Sequence, residues 1–107
     1  MYRIAIQYFS NMITIRKLLW DKRNIFHIAR HNIVPEEVEE LCKQSPIIQR
    51  GIKKNRLILL GHTAEKRLLN IVLENHGEGN YYIVTAYDAS SEDINLYKRL
   101  KGGDINE

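Results

Sequence analysis

Cysteine is almost absent from this chain, and other features are missing with it. Cys42 is the only cysteine, which excludes an internal disulfide and a zinc site made of thiolates. We interpret it as a small apolar residue of a helix. No apolar run is long enough to cross a bilayer, and the N-terminus lacks a clear signal peptide, so a cytoplasmic location is predicted. No linker, repeat or low-complexity tract is present, and 107 residues fit one domain.

The surplus of positive charge is small. Lys and Arg number 16 and Asp and Glu 13, a formal charge of +3 that permits a polyanionic partner without requiring one. The hydrophobic share of 44% is enough for a packed core and argues against global disorder.

The pattern of apolar residues predicts an α+β fold. A strand ending near Trp20 is followed by Asp21, a suitable N-cap for a helix of roughly residues 22–32. Asn32 suits the helix exit, and Pro35 suits the first turn of a second short helix. Short turns then favour an antiparallel four-stranded meander, followed by a last helix capped by Ser90. The meander strands are predicted at residues 47–50, 56–61, 67–74 and 81–86, and the last helix at 90–101.

The domain is expected to cover residues 12–101. Residues 1–11 are either an extra strand or an extension that precedes a start at Met12, and both alternatives stay open. Residues 102–107 are expected to form a tail. The apolar positions expected to line the core from the first and last helices are Ile25, Phe26, Ile28, Ala29, Ile94, Tyr97 and Leu100. Tyr81 and Tyr82 point to opposite faces of one strand, so one of them is expected in the core.

Few groups of residues suggest chemistry by spacing alone. His27 and His31 are one helical turn apart, but no Glu lies between them to act as a base and no third ligand is evident, so neither a metal nor a cofactor is predicted. Basic residues interleaved with tyrosines could bind single-stranded RNA, since bases stack on aromatic rings and phosphates pair with guanidinium groups. A solvated charged surface is the alternative interpretation.

Several motifs resemble one toxin family. The stretch WDKRNIFHIARHNIVPEEVEEL is similar to the opening of BrnT-type toxins, and RLILLGHT, KRLLNIVL and YYIVTAYDAS, with Glu92 and Tyr97, resemble the family's strands and closing helix. The similarity extends from Met12 to Arg99. It implies a RelE-like ribonuclease fold and the toxin role in a type II toxin–antitoxin system. It also implies a partner antitoxin that binds DNA through a ribbon-helix-helix domain. A homodimer and a toxin–antitoxin hetero-oligomer are both open, and no membrane association is expected.

The chemistry implied by the resemblance is metal-independent cleavage of RNA, in which the ribose 2′-hydroxyl attacks the neighbouring phosphate. That reaction needs a base, an acid and cations that stabilise the phosphorane. Arg67 is the candidate phosphate clamp, and Arg67→Ala is expected to reduce cleavage without unfolding the protein. The other catalytic candidates are His31, Arg50, Tyr97 and His62, and the RNA-binding candidates are Arg30, Arg56, Lys66 and Tyr87. For each residue a structural role stays open.

The chain departs from the family pattern at two places. Tyr87 stands where the family carries Arg, and Asp93-Ile94-Asn95 replaces a basic run after Glu92. A guanidinium lost from the active site would remove about 3 kcal/mol of phosphorane stabilisation, by analogy with one lost oxyanion donor. Besides the nuclease, a non-catalytic domain that binds a protein or nucleic acid and an orphan structural domain therefore stay open. The nuclease hypothesis expects Arg67, Arg50 and His31 to converge on one surface.

Overall fold

A computed structural model of the chain has an α+β fold and describes residues 2–10 and 13–101. Met12 and the predicted tail lie outside the described residues. None of the described helices is both long and apolar enough to cross a membrane. The elements are β1 (Tyr2–Ser10), β2 (Ile13–Trp20), α1 (Lys22–Ala29), α2 (Pro35–Cys42), β3 (Ile47–Arg50), β4 (Arg56–His62), β5 (Leu68–Asn75), β6 (Asn80–Asp88) and α3 (Ser91–Lys101).

All six strands belong to one mixed sheet, in the order β1-β2-β6-β5-β4-β3. The predicted meander from β3 to β6 is antiparallel throughout. β2 adds to it in parallel with β6, and β1 pairs antiparallel with β2 at the edge. The sheet has one strand more than the N-terminal strand plus four of the predicted fold, because residues 2–10 also join it, which agrees with the extra-strand alternative for this segment.

Local capping explains where the first helix begins and ends. The Asp21 side chain accepts a hydrogen bond from the Asn24 backbone N–H at 2.9 Å, and the Asn24 side chain accepts one from the Asp21 N–H at 2.9 Å. Hydrogen bonds that the Asp21 carboxylate accepts lower its pKa; the backbone N–H of Asn24 is the largest cause, followed by the Tyr82 hydroxyl and the backbone N–H of Arg23. α1 ends at Ala29, and Asn32 has a φ of 59°, as expected for the residue that ends this turn.

The two faces of the sheet pack against different helices. On one face, α1 and α2 cover a core that includes Trp20, Leu59 and Ile71, all fully buried. On the other face, α3 covers one end of the sheet, where the buried Asn70 donates a hydrogen bond to Asp93 at 2.7 Å. The two faces of the sheet therefore contact different helices and present different side chains.

Three positions in the predicted apolar faces are exposed instead, namely Phe26, Ala29 and Leu100. Phe26 is 71% exposed, because it lies two residues before the buried Ile28 and so about 200° around the helix from it. Leu100 is 57% exposed, near the end of α3. The expectation for the tyrosine pair is confirmed: Tyr81 is 6% exposed and belongs to the core, whereas Tyr82 is half-buried on the opposite face.

Candidate functional site

The predicted site residues divide between two ends of the sheet. Arg50 ends β3 and pairs with Leu57 near the start of β4. Arg67 precedes β5, and its carbonyl accepts a hydrogen bond from Thr63 just beyond β4. Six residues of extended chain separate Leu57 from Thr63, a distance of about 20 Å. The structure therefore does not bring Arg50 together with Arg67. The expectation that Arg67, Arg50 and His31 converge on one surface is wrong for Arg50, because its pairing with Leu57 places it at the other end of the sheet.

At the Arg67 end, three predicted residues meet two carboxylates. We name this group, made of His31, Glu37, Arg67, Tyr87 and Asp88, the His31 cluster. The rings of His31 and Tyr87 are 6.4 Å apart between centroids, with their planes tilted by 62°. The guanidinium of Arg67 lies between the carboxylates of Glu37 and Asp88. A loop, a helix and two strand ends thus contribute to one cluster.

Every N–H group of the Arg67 guanidinium has an acceptor within the protein. Nε donates to Asp88 Oδ1 at 2.9 Å, and Nη2 donates to Asp88 Oδ2 at 3.3 Å and to the His31 carbonyl at 3.0 Å. Nη1 donates to the Asn32 carbonyl at 2.7 Å and to Glu37 Oε2 at 3.3 Å. The hydrogen bond to Asp88 is the main cause that raises the pKa of Arg67. Arg67 therefore joins β5, the end of β6 and the turn after α1.

Four exposed groups that could meet an anion belong to the His31 cluster or adjoin one of its members in the chain. His31 is exposed, and Tyr87 is 36% exposed. Arg30 and Lys66 are exposed as well, and neither side chain forms a hydrogen bond or ion pair with another described residue. An imidazole can accept and release a proton near neutral pH, and these cations can attract a phosphate. Arg67 itself holds the turn that carries His31 in place.

His62 at the end of β4 and Tyr97 of α3 form a separate pair. Their rings are perpendicular, with centroids 6.2 Å apart, and Lys101 Nζ lies 5.7 Å from the centre of the Tyr97 ring. The Nδ1 of His62 donates to the Thr63 carbonyl at 2.8 Å. This pair lies at the same end of the sheet as Arg67. It belongs to the α3 face of the sheet, whereas His31 follows α1 on the other.

Arg56 lies at the opposite end of the sheet and is held by a carboxylate. Its Nη2 is 3.4 Å from Glu74 Oε2, and the two residues are direct partners in the β4–β5 ladder. Glu74 also contacts His76, whose ring stacks on Tyr82 at 5.7 Å. The hydrogen bond from His76 is the main cause that lowers the pKa of Glu74.

Sequence reasoning missed Glu37 and Asp88 as members of the site. Glu37 lies in the first turn of the helix that Pro35 begins, and Asp88 ends β6; neither position suggests a contact with Arg67. Arg67 contacts them across 30 and 21 residues of chain. No periodic pattern encodes pairs at such separations. The sole hint was that both acids lie near predicted element ends.

Among residues 13–101, no group of three or more His, Cys, Asp or Glu side chains is arranged to hold a metal ion. Comparisons with protein-family models, with curated proteins and with solved structures found no match to this chain.

Proposed function

We propose that this chain is the toxin of a type II toxin–antitoxin pair and a metal-independent endoribonuclease that acts in the cytoplasm with a RelE-like arrangement of its elements. The observation that carries the proposal is the His31 cluster. In it an exposed histidine and an exposed tyrosine lie beside an arginine whose guanidinium N–H groups all have hydrogen-bond acceptors. The sequence resemblance to BrnT-type toxins supports the same activity independently of the geometry.

The proposed reaction uses the exposed groups of the His31 end. The 2′-oxygen of a ribose forms a bond to the adjacent phosphorus while the bond from phosphorus to the 5′-oxygen breaks. His31 takes the proton of the 2′-hydroxyl, and the leaving oxygen takes a proton from water or from Tyr87. Arg30 and Lys66 attract the phosphate and stabilise the phosphorane charge. Arg67 acts as a positioning residue, since its donors are already occupied.

RNA cleavage in the presence of EDTA tests the proposal. Purified protein is incubated with single-stranded RNA, and the fragments are followed on denaturing gels. His31→Asn is expected to slow cleavage about 100-fold, the lower range for loss of a general base. His76→Asn is the matched control, because it removes an exposed histidine at the other end of the sheet. Intact RNA at high protein concentration would refute the nuclease, and equal rates in His31→Asn and wild type would refute the role of His31 as the base.

A second candidate function is a binding domain of the same fold without catalysis. Two observations favour it: the guanidinium of Arg67 has no free donor, and Tyr87 occupies a position where the resembled family carries Arg. Binding of RNA without any cleavage would favour this candidate over the nuclease.

The partner part of the proposal needs a test in cells. Expression of the chain alone is expected to arrest growth. The proposal also expects the adjacent reading frame to encode a small DNA-binding antitoxin, whose co-expression restores growth. Normal growth during expression of the chain alone, at protein levels verified by immunoblot, would contradict the toxin role.

A further inference from the structure

A cleft lies at the end of the sheet opposite the His31 cluster. It has a volume of about 450 Å³ and opens where β3 ends, β4 begins and β2 begins. We name it the Arg50 cleft and define it by Thr14, Arg50, Lys54, Arg56, Leu57 and Tyr81. Its volume falls within the range of about 300–1,000 Å³ usual for small-molecule sites.

The charged residues that line the Arg50 cleft are all positive. Arg50, Lys54 and Arg56 contribute cations, and no carboxylate is among the described lining residues. Arg56 is ion-paired with Glu74, whereas Arg50 and Lys54 are exposed and form no side-chain hydrogen bond or ion pair with another described residue. A cleft lined by charges of one sign concentrates the opposite charge within it. The Arg50 cleft is therefore suited to an anion.

One buried polar group at the cleft lacks a partner among the described residues, and a tyrosine hydroxyl is available beside it. Tyr81 is 6% exposed as a whole residue and lines the cleft, and its hydroxyl forms no hydrogen bond with another described residue. Burial raises the pKa of Tyr81, so the phenol keeps its proton at neutral pH and can donate it. The Nε of Arg56 is buried and has no hydrogen-bond partner among the described residues. Buried donors are normally satisfied, which points to a ligand that accepts hydrogen bonds.

The cleft also has an apolar wall, which limits the class of anion. Leu57 is 6% exposed, and the half-buried Ile13 lines the same space. An inorganic phosphate would fill only a small part of about 450 Å³ and would leave these apolar side chains uncovered. A ligand that carries a flat, weakly polar group beside its phosphate would contact both kinds of surface. A nucleotide has this composition.

We propose that the Arg50 cleft binds the phosphate of a nucleotide through Arg50 and Lys54, with the Tyr81 hydroxyl donating a hydrogen bond to it. The nucleotide is either a free mononucleotide or one unit of an RNA strand. This site is distinct from the His31 cluster, about 20 Å away along the strands. The proposal goes beyond the cleavage of RNA and does not require it.

Two probes distinguish the two sources of the phosphate. One is adenosine 5′-monophosphate, and the other is a single-stranded RNA hexamer that is 2′-O-methylated at every position. The hexamer has no 2′-hydroxyl to attack a phosphate, so its binding is measured whether or not the protein is a nuclease. Affinities are measured by isothermal titration calorimetry on the full chain.

Paired substitutions test the residues of the cleft. Arg50→Gln with Lys54→Gln is expected to weaken binding at least tenfold, because each lost charged hydrogen bond accounts for about that factor. Lys43→Gln with Lys98→Gln is the matched control, since it removes two exposed charges elsewhere and is expected to change the affinity less than twofold. Tyr81→Phe removes only the hydroxyl and is expected to weaken binding several-fold. Thermal unfolding midpoints verify that all variants are folded.

Each outcome decides the proposal. Binding of the monophosphate that depends on Arg50 and Lys54 supports it and identifies a free nucleotide as a ligand. Binding of the hexamer alone, with the same dependence, supports it and identifies the RNA strand. The proposal is overturned if neither probe binds at millimolar concentration, or if the cleft pair and the control pair weaken binding equally.

Discussion

The substitution Arg67→Ala examines whether the guanidinium of this residue stabilises the fold. Its side chain is 29% exposed and donates to the carboxylates of Glu37 and Asp88, which are 22% and 62% exposed. It also donates to the carbonyls of His31 and Asn32 in the turn between α1 and α2. Alanine would leave these acceptors without their donor. The turn would then lose its attachment to the start of β5.

The expected loss follows from the exposure of each partner. Hydrogen bonds to charged groups contribute about 1.5–3 kcal/mol when they are protected from water, whereas exposed ion pairs contribute about 0–1 kcal/mol. The bond to Asp88 is an exposed ion pair and is expected to contribute little to stability. The bonds to the two carbonyls are expected to contribute an intermediate free energy. We therefore expect Arg67→Ala to lower the free energy of unfolding by about 2–3 kcal/mol, a large part of the roughly 5–15 kcal/mol typical of a domain.

Urea denaturation followed by far-UV circular dichroism measures this change. Arg67→Lys is expected to lose about 1–2 kcal/mol, because one ammonium cannot reach all four acceptors. Asp88→Asn is the matched control and is expected to lose less than about 1 kcal/mol, since its carboxylate is mostly exposed. A loss below about 0.5 kcal/mol in Arg67→Ala would refute the structural role. A loss of about 2–3 kcal/mol is compatible with the expectation that Arg67→Ala remains folded, but it predicts a measurable cost in stability.

Two further predictions concern a buried cysteine and the residue that caps α1. Burial raises the pKa of Cys42 to about 12. The thiol of the native protein is therefore expected not to react with an aromatic disulfide reagent at pH 8, and to react only after urea unfolds the chain. Rapid reaction of the native protein would contradict this. Asp21→Ala removes the cap of α1 and the acceptor of the Tyr82 hydroxyl, and is expected to lower the free energy of unfolding by about 1 kcal/mol at pH 7. The folded-state pKa of Asp21 is lowered, so its contribution is present above the unfolded pKa near 4 and is lost as the pH falls through the folded value. Asp21→Asn keeps a capping side chain without this titration, so a stability curve as steep as that of wild type below pH 4 would contradict the role of the carboxylate.

Both ends of the sheet owe their chemistry to the same arrangement of strands. The β3–β4 and β5–β6 turns lie at the Arg50 end, whereas the β4–β5 turn and the end of β6 lie at the Arg67 end. An RNA strand that contacted both ends would cover about 20 Å of protein surface. Salt dependence separates such a strand from a mononucleotide, because each additional phosphate contact steepens the loss of affinity with salt.

The amino-acid sequence by itself determined the local features of this fold. The cap at Asp21, the left-handed residue at Asn32 and the strand–turn alternation from β3 to β6 depend on residues within four positions of each other, and the pattern of residue types therefore encodes them. The α+β class followed from the order of these elements. The core position of one tyrosine of the Tyr81–Tyr82 pair followed from the two-residue period of a strand.

Only the tertiary structure decided which distant residues meet. The insertion of β2 beside β6, the acceptors of Arg67 and the separation of Arg50 from His31 depend on pairings between segments that are far apart in the chain. Such contacts form because the whole core is buried at once, and no local preference of either partner specifies them. For that reason the sequence identified the cations but not the two ends of the sheet to which they belong.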